Sequence, residues 1–185
     1  MRFVKKELCK KGLLLFLLLI VKVNAATIWV SLGVYDFTDD ISKEFYKYGQ
    51  SFRVSCDFGQ ISALKLSATT GGSFSNVPYH GDDHEMFILP LLLSWKYFLW
   101  SEQSKIYPVI GSGAGIYAKM DHNEYFPKKR YSFTYGYHFT SGLNYKISNR
   151  LTSKFEMRYN ILISPGTEDI NSSGFDVLLG IGFLF

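Results

Sequence analysis

The chain has 185 residues, which suits one domain, and 17% of them are aromatic, mostly Phe and Tyr. Its 20 Lys and Arg outnumber 16 Asp and Glu, but six of the basic residues and only one acid, Glu7, fall within the first 25 positions. The remainder carries 14 basic and 15 acidic residues, so the basic balance that would suggest nucleic-acid binding is absent from it.

The first segment reads as a leader. Arg2, Lys5, Lys6, Lys10 and Lys11 precede an apolar run from Gly12 to Val21, and Val23-Asn24-Ala25 follows. A basic stretch, a short apolar stretch and small residues at a cleavage point form a secretory signal peptide, here cut after Ala25. The apolar run is about half the ~20 residues that a membrane-spanning helix requires. Cys9 lies before that run, so it is not placed for lipid attachment. With the leader removed, Cys56 is the single cysteine: no internal disulfide and no cysteine-based zinc site can form. The expected organisation is residues 1–25 as signal peptide and 26–185 as one domain.

Eight segments of that domain alternate apolar and polar residues with period two, the pattern of strands with one apolar face. In chain order they are Thr27–Phe37, Gln50–Phe58, Ile61–Thr69, Glu85–Phe98, Lys105–Lys119, Arg130–Ile147, Arg150–Ile163 and Gly174–Phe185. The seventh is the clearest: Phe155, Met157, Tyr159 and Ile161 alternate with Lys154, Glu156, Arg158 and Asn160. Several runs reach ten residues or more, longer than the five or six typical of soluble sheets and matched to the ~9–11 of transmembrane strands. The connections alternate too. Short gaps (Gly59-Gln60, Leu99–Ser104, Ser148-Asn149) follow even strands, and long polar gaps (Thr38–Tyr48, Thr70–His84, Met120–Lys129, Ser164–Ser173) follow odd ones. An even number of strands with all long loops at one end predicts an all-β, closed, antiparallel up-and-down barrel spanning a membrane. Both termini then face the periplasm and the long loops face outward.

On this pattern the inward residues include Arg53, Asp57, Lys65, Lys96, His138, Lys146, Lys154, Glu156 and Arg158. Eight strands leave an interior just wide enough to be filled by side chains. Buried charges require partners, so these residues, above all Arg53, Asp57, Lys65, Lys154, Glu156 and Arg158, are expected to form a lumen ion-pair network; an ion path is the functional alternative. Gly111, Gly113 and Gly115 are expected on the inner face, making room for neighbouring Arg or Tyr side chains. Trp29, Trp95, Tyr97, Trp100, Tyr107 and Phe185 are expected to form an interfacial aromatic girdle. His80, Asp82, Asp83, His84 and Glu85, between strands three and four, have the chemistry of a cation site, with a hydrated polar loop as the plainer reading. Lys128, Lys129 and Arg130 are placed to meet lipopolysaccharide phosphates.

The last strand places Val177, Leu179, Ile181, Phe183 and Phe185 on one face and ends on an aromatic. This resembles the terminal signal read by outer-membrane assembly machinery. Tyr107-Pro108-Val109-Ile110-Gly111-Ser112-Gly113-Ala114-Gly115-Ile116-Tyr117 is similar to the glycine-rich fifth strand of small OmpA/OmpX-type barrels. Phe139-Thr140-Ser141-Gly142-Leu143-Asn144-Tyr145, a turn and Arg150–Tyr159 look like the same family. The resemblance implies a bacterial outer-membrane protein, monomeric and without cofactor, whose partners are outer-membrane lipids, lipopolysaccharide and the assembly machinery. The opening Val30-Ser31-Leu32-Gly33-Val34-Tyr35-Asp36 also loosely resembles the lipid A deacylase family. That family's late His-x-Ser pair is matched here by Arg158-Tyr159-Asn160, which supplies neither base nor nucleophile. A structural or surface-interaction role is therefore the leading expectation. A narrow channel or binder for a small apolar molecule, and a lipid-modifying enzyme, stand as alternatives.

Overall fold

The computed structural model describes residues 26–61, 64–79, 82–101, 104–123, 126–163 and 170–185. The expected signal peptide, residues 1–25, lies outside the described residues.

Eight strands close into one antiparallel barrel in sequence order: β1 (Thr27–Phe37), β2 (Tyr48–Ile61), β3 (Leu64–Tyr79), β4 (Asp82–Phe98), β5 (Ile106–Asn123), β6 (Phe126–Lys146), β7 (Leu151–Ile163) and β8 (Gly174–Leu184). The pairing of β1 with β8, from Thr27 opposite Leu184 to Phe37 opposite Gly174, completes the ring and leaves no open sheet edge. Alternation decides which way each residue faces. On β1, Trp29, Ser31, Tyr35 and Phe37 are buried inside, while Ile28, Val30, Leu32 and Val34 are exposed outside. The outer wall is apolar on every strand; Leu91, Leu93, Phe139, Phe155, Leu179 and Ile181 all face out. A monomer in water does not display an apolar band of this extent, whereas hydrocarbon stabilises it.

The structure revises four of the expected connections, in three ways. The β2–β3 turn does not fall at Gly59-Gln60. Strand β2 continues to Ile61, and Gly59, in the left-handed region at φ 63°, takes up a register shift between Phe58 and Gln60. A glycine there makes a bulge rather than a reversal. The spans expected as loops at Thr70–His84 and Met120–Lys129 are largely strand. The β3–β4 ladder runs on to Tyr79 opposite Asp82, and the β5–β6 ladder to Asn123 opposite Phe126. Their polar composition reflects strand ends that lie beyond the apolar belt. The third difference is a helix, α1 (Asp40–Tyr46), inside the span expected to be a loop between β1 and β2. Asp39 caps it by accepting a hydrogen bond from the Ser42 amide at 3.2 Å, and Lys47, at φ 51°, ends it.

Candidate functional site: the filled lumen and its stopper

The barrel interior has two tiers. The tier nearer the short turns is ionic. Asp57 accepts from Lys96 Nζ at 2.7 Å on one oxygen and from Trp29 Nε1 at 2.7 Å on the other. Glu156 accepts from Lys154 Nζ at 2.9 Å and from Arg158 Nη2 at 2.7 Å. Asp176 accepts from Arg53 Nη2 at 2.7 Å, from Ser51 Oγ at 2.6 Å and from Asn160 Nδ2 at 3.3 Å. Each of these three carboxylates thus has donors on both oxygens, which offsets the cost of burying its charge. Arg53 also donates to Ser73 Oγ and to the Phe52 carbonyl.

Of the six residues named from the sequence as this network, five lie inside it. Arg53, Asp57, Lys154, Glu156 and Arg158 are all buried. Lys65 is half-buried, with its Nζ 5.4 Å from the centre of the Phe98 ring. Lys146, also expected inward, is half-buried towards the turn end. Asp176 was missed. It sits in Gly174–Leu184, whose composition is dominated by the apolar outward row, yet alternation from Leu178 points it inward. With Asp176 included, four cations (Arg53, Lys96, Lys154, Arg158) face three anions, and Arg158 Nε and Nη1 have no hydrogen-bond partner among the described residues. This tier therefore carries one more positive charge than negative.

The β5 glycines explain how long side chains fit. Ser94, Gly113 and His138 are successive cross-strand partners on β4, β5 and β6. A Cβ on Gly113 would lie 2.6 Å from His138 Cε1, so its absence lets the imidazole cross to Ser94, where Nε2 and Oγ are 2.8 Å apart. Gly111 does the same between Lys96 and Thr140, where an added Cβ would sit 2.7 Å from Thr140 Oγ1. The His138–Ser94 pair has base–nucleophile spacing, but both residues are at most 1% exposed inside the filled lumen. Alternation places His138 inward but carries no sign of Ser94, which lies two strands away.

Two residues expected in the aromatic girdle belong to this interior. Trp29 is 3% exposed, its ring 5.1 Å from Lys154 Nζ, and Tyr107 is 7% exposed, edge-on to Phe98 at 5.7 Å. Parity decides both: Trp29 lies between the outward Ile28 and Val30, and Tyr107 shares the inner face with Val109. Trp95, Tyr97, Trp100 and Phe185 are exposed on the outside, as expected.

The second tier, at the loop end, is apolar. Tyr35, Phe37, Met86, Ile88, Leu92, Tyr117 and Leu162 line the wall, and Phe45 and Tyr46 of α1 pack among them. The helix is held by Ser42 Oγ donating to the Asn171 carbonyl at 2.5 Å, and Asn123 Nδ2 donates to the Tyr46 hydroxyl at 2.5 Å. Burial raises the Tyr46 phenol above its ordinary value, outweighing the Asn123 hydrogen bond that lowers it. The proposed cation cluster is divided by the same alternation. His84 points inward against Phe45, with ring centres 5.2 Å apart, while Glu85 points outward and meets Lys129 at 2.7 Å. Among the described residues no group of three metal-ligating side chains converges. His80 lies outside the described residues. Between Asp57, Lys96, Lys154 and Glu156 remains a void of about 10 Å³, room for a water rather than for a ligand.

No family model matches the sequence, and no curated protein matches it. Solved structures do. Neisserial surface protein A matches 87% of this chain and 97% of its own with TM-score 0.67 and 12% identity. OprG of Pseudomonas aeruginosa matches 89% and 97% with TM-score 0.67 and 12% identity. Ail, the attachment invasion locus protein of Yersinia pestis, crystallised with the heparin analogue sucrose octasulfate, matches 87% and 98% with TM-score 0.57 and 9% identity. The fold and the apolar outer wall together define the class: a small eight-stranded transmembrane barrel, similar in fold to these bacterial outer-membrane proteins.

Proposed function

We propose that this protein is a non-enzymatic, non-conducting barrel that acts through the surface it presents beyond the membrane. The observation that carries the reading is the occupied lumen. Three ion-paired carboxylates fill one tier and an aromatic stopper fills the other, so the features free to meet a partner lie outside. Strands β3 to β6 run 16 to 21 residues, well past the ~9–11 that cross a bilayer, and raise their hairpins above the apolar belt. The neighbours described as a surface protein and as an attachment protein support a surface role for such hairpins. Lys128 and Lys129 are exposed on β6 at the upper edge of the belt, where lipopolysaccharide phosphates would lie. The outward row Val177, Leu179, Ile181, Phe183 and Phe185 is exposed on the closing strand or just after it, accessible to assembly machinery before closure. The buried His138–Ser94 pair argues against hydrolysis, because no substrate reaches it without unpacking the lumen. Planar-bilayer recording of the purified barrel tests the reading: baseline current is expected, and sustained openings would overturn it.

A further inference from the structure

The outer wall carries a groove of about 700 Å³ near the turn end, within the range of small-molecule sites. Its sides are Val30 and Leu32 of β1, Leu143 of β6, Phe155 of β7, and Leu179 and Phe183 of β8. The floor is low because Ser153 and Gly180 are small. Of the three lining residues with polar side chains, Tyr145, Ser153 and Lys154, the last two turn their polar atoms away. Ser153 Oγ donates to the Tyr145 carbonyl at 3.4 Å, and Lys154 Nζ donates to Glu156 inside the lumen. Apart from Tyr145, what remains for an occupant is carbon, in a wall that faces hydrocarbon.

The groove has a charged mouth. Lys105 Nζ lies 5.5 Å from the centre of the Tyr145 ring, and Tyr145 lines the groove. The Arg150 carbonyl accepts from the Leu184 amide at 2.9 Å, which holds Arg150 next to the groove residue Phe183. Both cations are exposed, at the level where the strands end and lipid headgroups begin. We propose that this groove is a binding site for an anionic glycerophospholipid, with an acyl chain along the Ser153–Gly180 floor and the phosphate held by Lys105 and Arg150. An apolar floor alone would take any lipid; the two cations select the anionic ones. The inference rests on the membrane placement of the barrel and not on the surface role. A barrel that conducts yet retains lipid would remove only the latter.

The test uses the full barrel in nanodiscs of equal phosphatidylglycerol and phosphatidylcholine, released into detergent and weighed by native mass spectrometry. One phosphatidylglycerol per barrel is expected. Ser153→Phe fills the floor from the lipid side and is expected to lower retention roughly tenfold. K105E/R150E is expected to keep a bound lipid but lose the preference for phosphatidylglycerol. Leu143→Trp provides a second obstruction if Ser153→Phe fails to show heat-modifiable migration. No retained lipid in the unsubstituted barrel, or undiminished retention in a folded groove-filled variant, overturns the site. An unchanged headgroup preference in K105E/R150E overturns the assignment of the two cations.

Discussion

Glu156 shows what single residues do in this lumen. It is the shared acceptor of Lys154 and Arg158, so Glu156→Ala leaves two buried cations facing one another without a counter-charge. Losing one partner of a buried ion pair costs about 3–5 kcal/mol. The variant is expected to unfold at clearly lower urea concentration in vesicles. Trp29→Phe removes a charge-assisted bond to Asp57 and is expected to cost about 1.5–3 kcal/mol. Trp29 also differs from Trp95 and Trp100 in where it looks. Brominated lipids are expected to quench fluorescence in a variant keeping only Trp95 but not in one keeping only Trp29; equal quenching would place Trp29 in the wall. These inward residues were largely legible in the sequence, because period two assigns a face to each position once the strand is recognised. Their pairing was not legible. Which acid meets which base depends on the offset between neighbouring strands, and Asp176 reaches Arg53 across 123 positions of chain.

At the level of elements, α1 carries the information that alternation could not. Seven residues give no sustained helical period, and Phe45 and Tyr46 stand out only once the barrel mouth they fill is known. The helix is stable through docking rather than through its own hydrogen bonds, since so short a helix does not persist alone. F45A/Y46A is therefore expected to undock α1 while the strands remain paired, measured as faster amide exchange over Asp40–Tyr46 with unchanged heat-modifiable migration. Tyr46 gives the docking a pH dependence. Its folded pKa lies above the unfolded value of about 10, so its contribution is complete below pH 10 and declines as alkalinity ionises the unfolded chain first. Amide exchange over α1 is expected to accelerate above that pH, and Tyr46→Phe to weaken the dependence. Strands β3 to β6 teach a related lesson. Beyond the belt both faces meet water, the apolar half of the alternation fades, and strand becomes indistinguishable from loop in composition.

The molecule as a whole was the most legible level, because closure, strand number and the lipid-facing wall all follow from repetition. The same repetition has a consequence during export. A chain bound for the outer membrane first crosses the inner one, whose insertion machinery retains stretches of about 20 apolar residues. Every lumen charge interrupts such a stretch. Even the apolar run Met86–Leu93 ends at Ser94 and Lys96, the residues that later meet His138 and Asp57. The residues whose ion pairs fill the finished barrel thus also keep the strands that carry them, β2, β4, β7 and β8, from offering the inner membrane an unbroken apolar stretch in the unfolded chain. Replacing Ser94 and Lys96 together with Leu is expected to strand part of the protein in the inner membrane, visible on separating the two membranes by density.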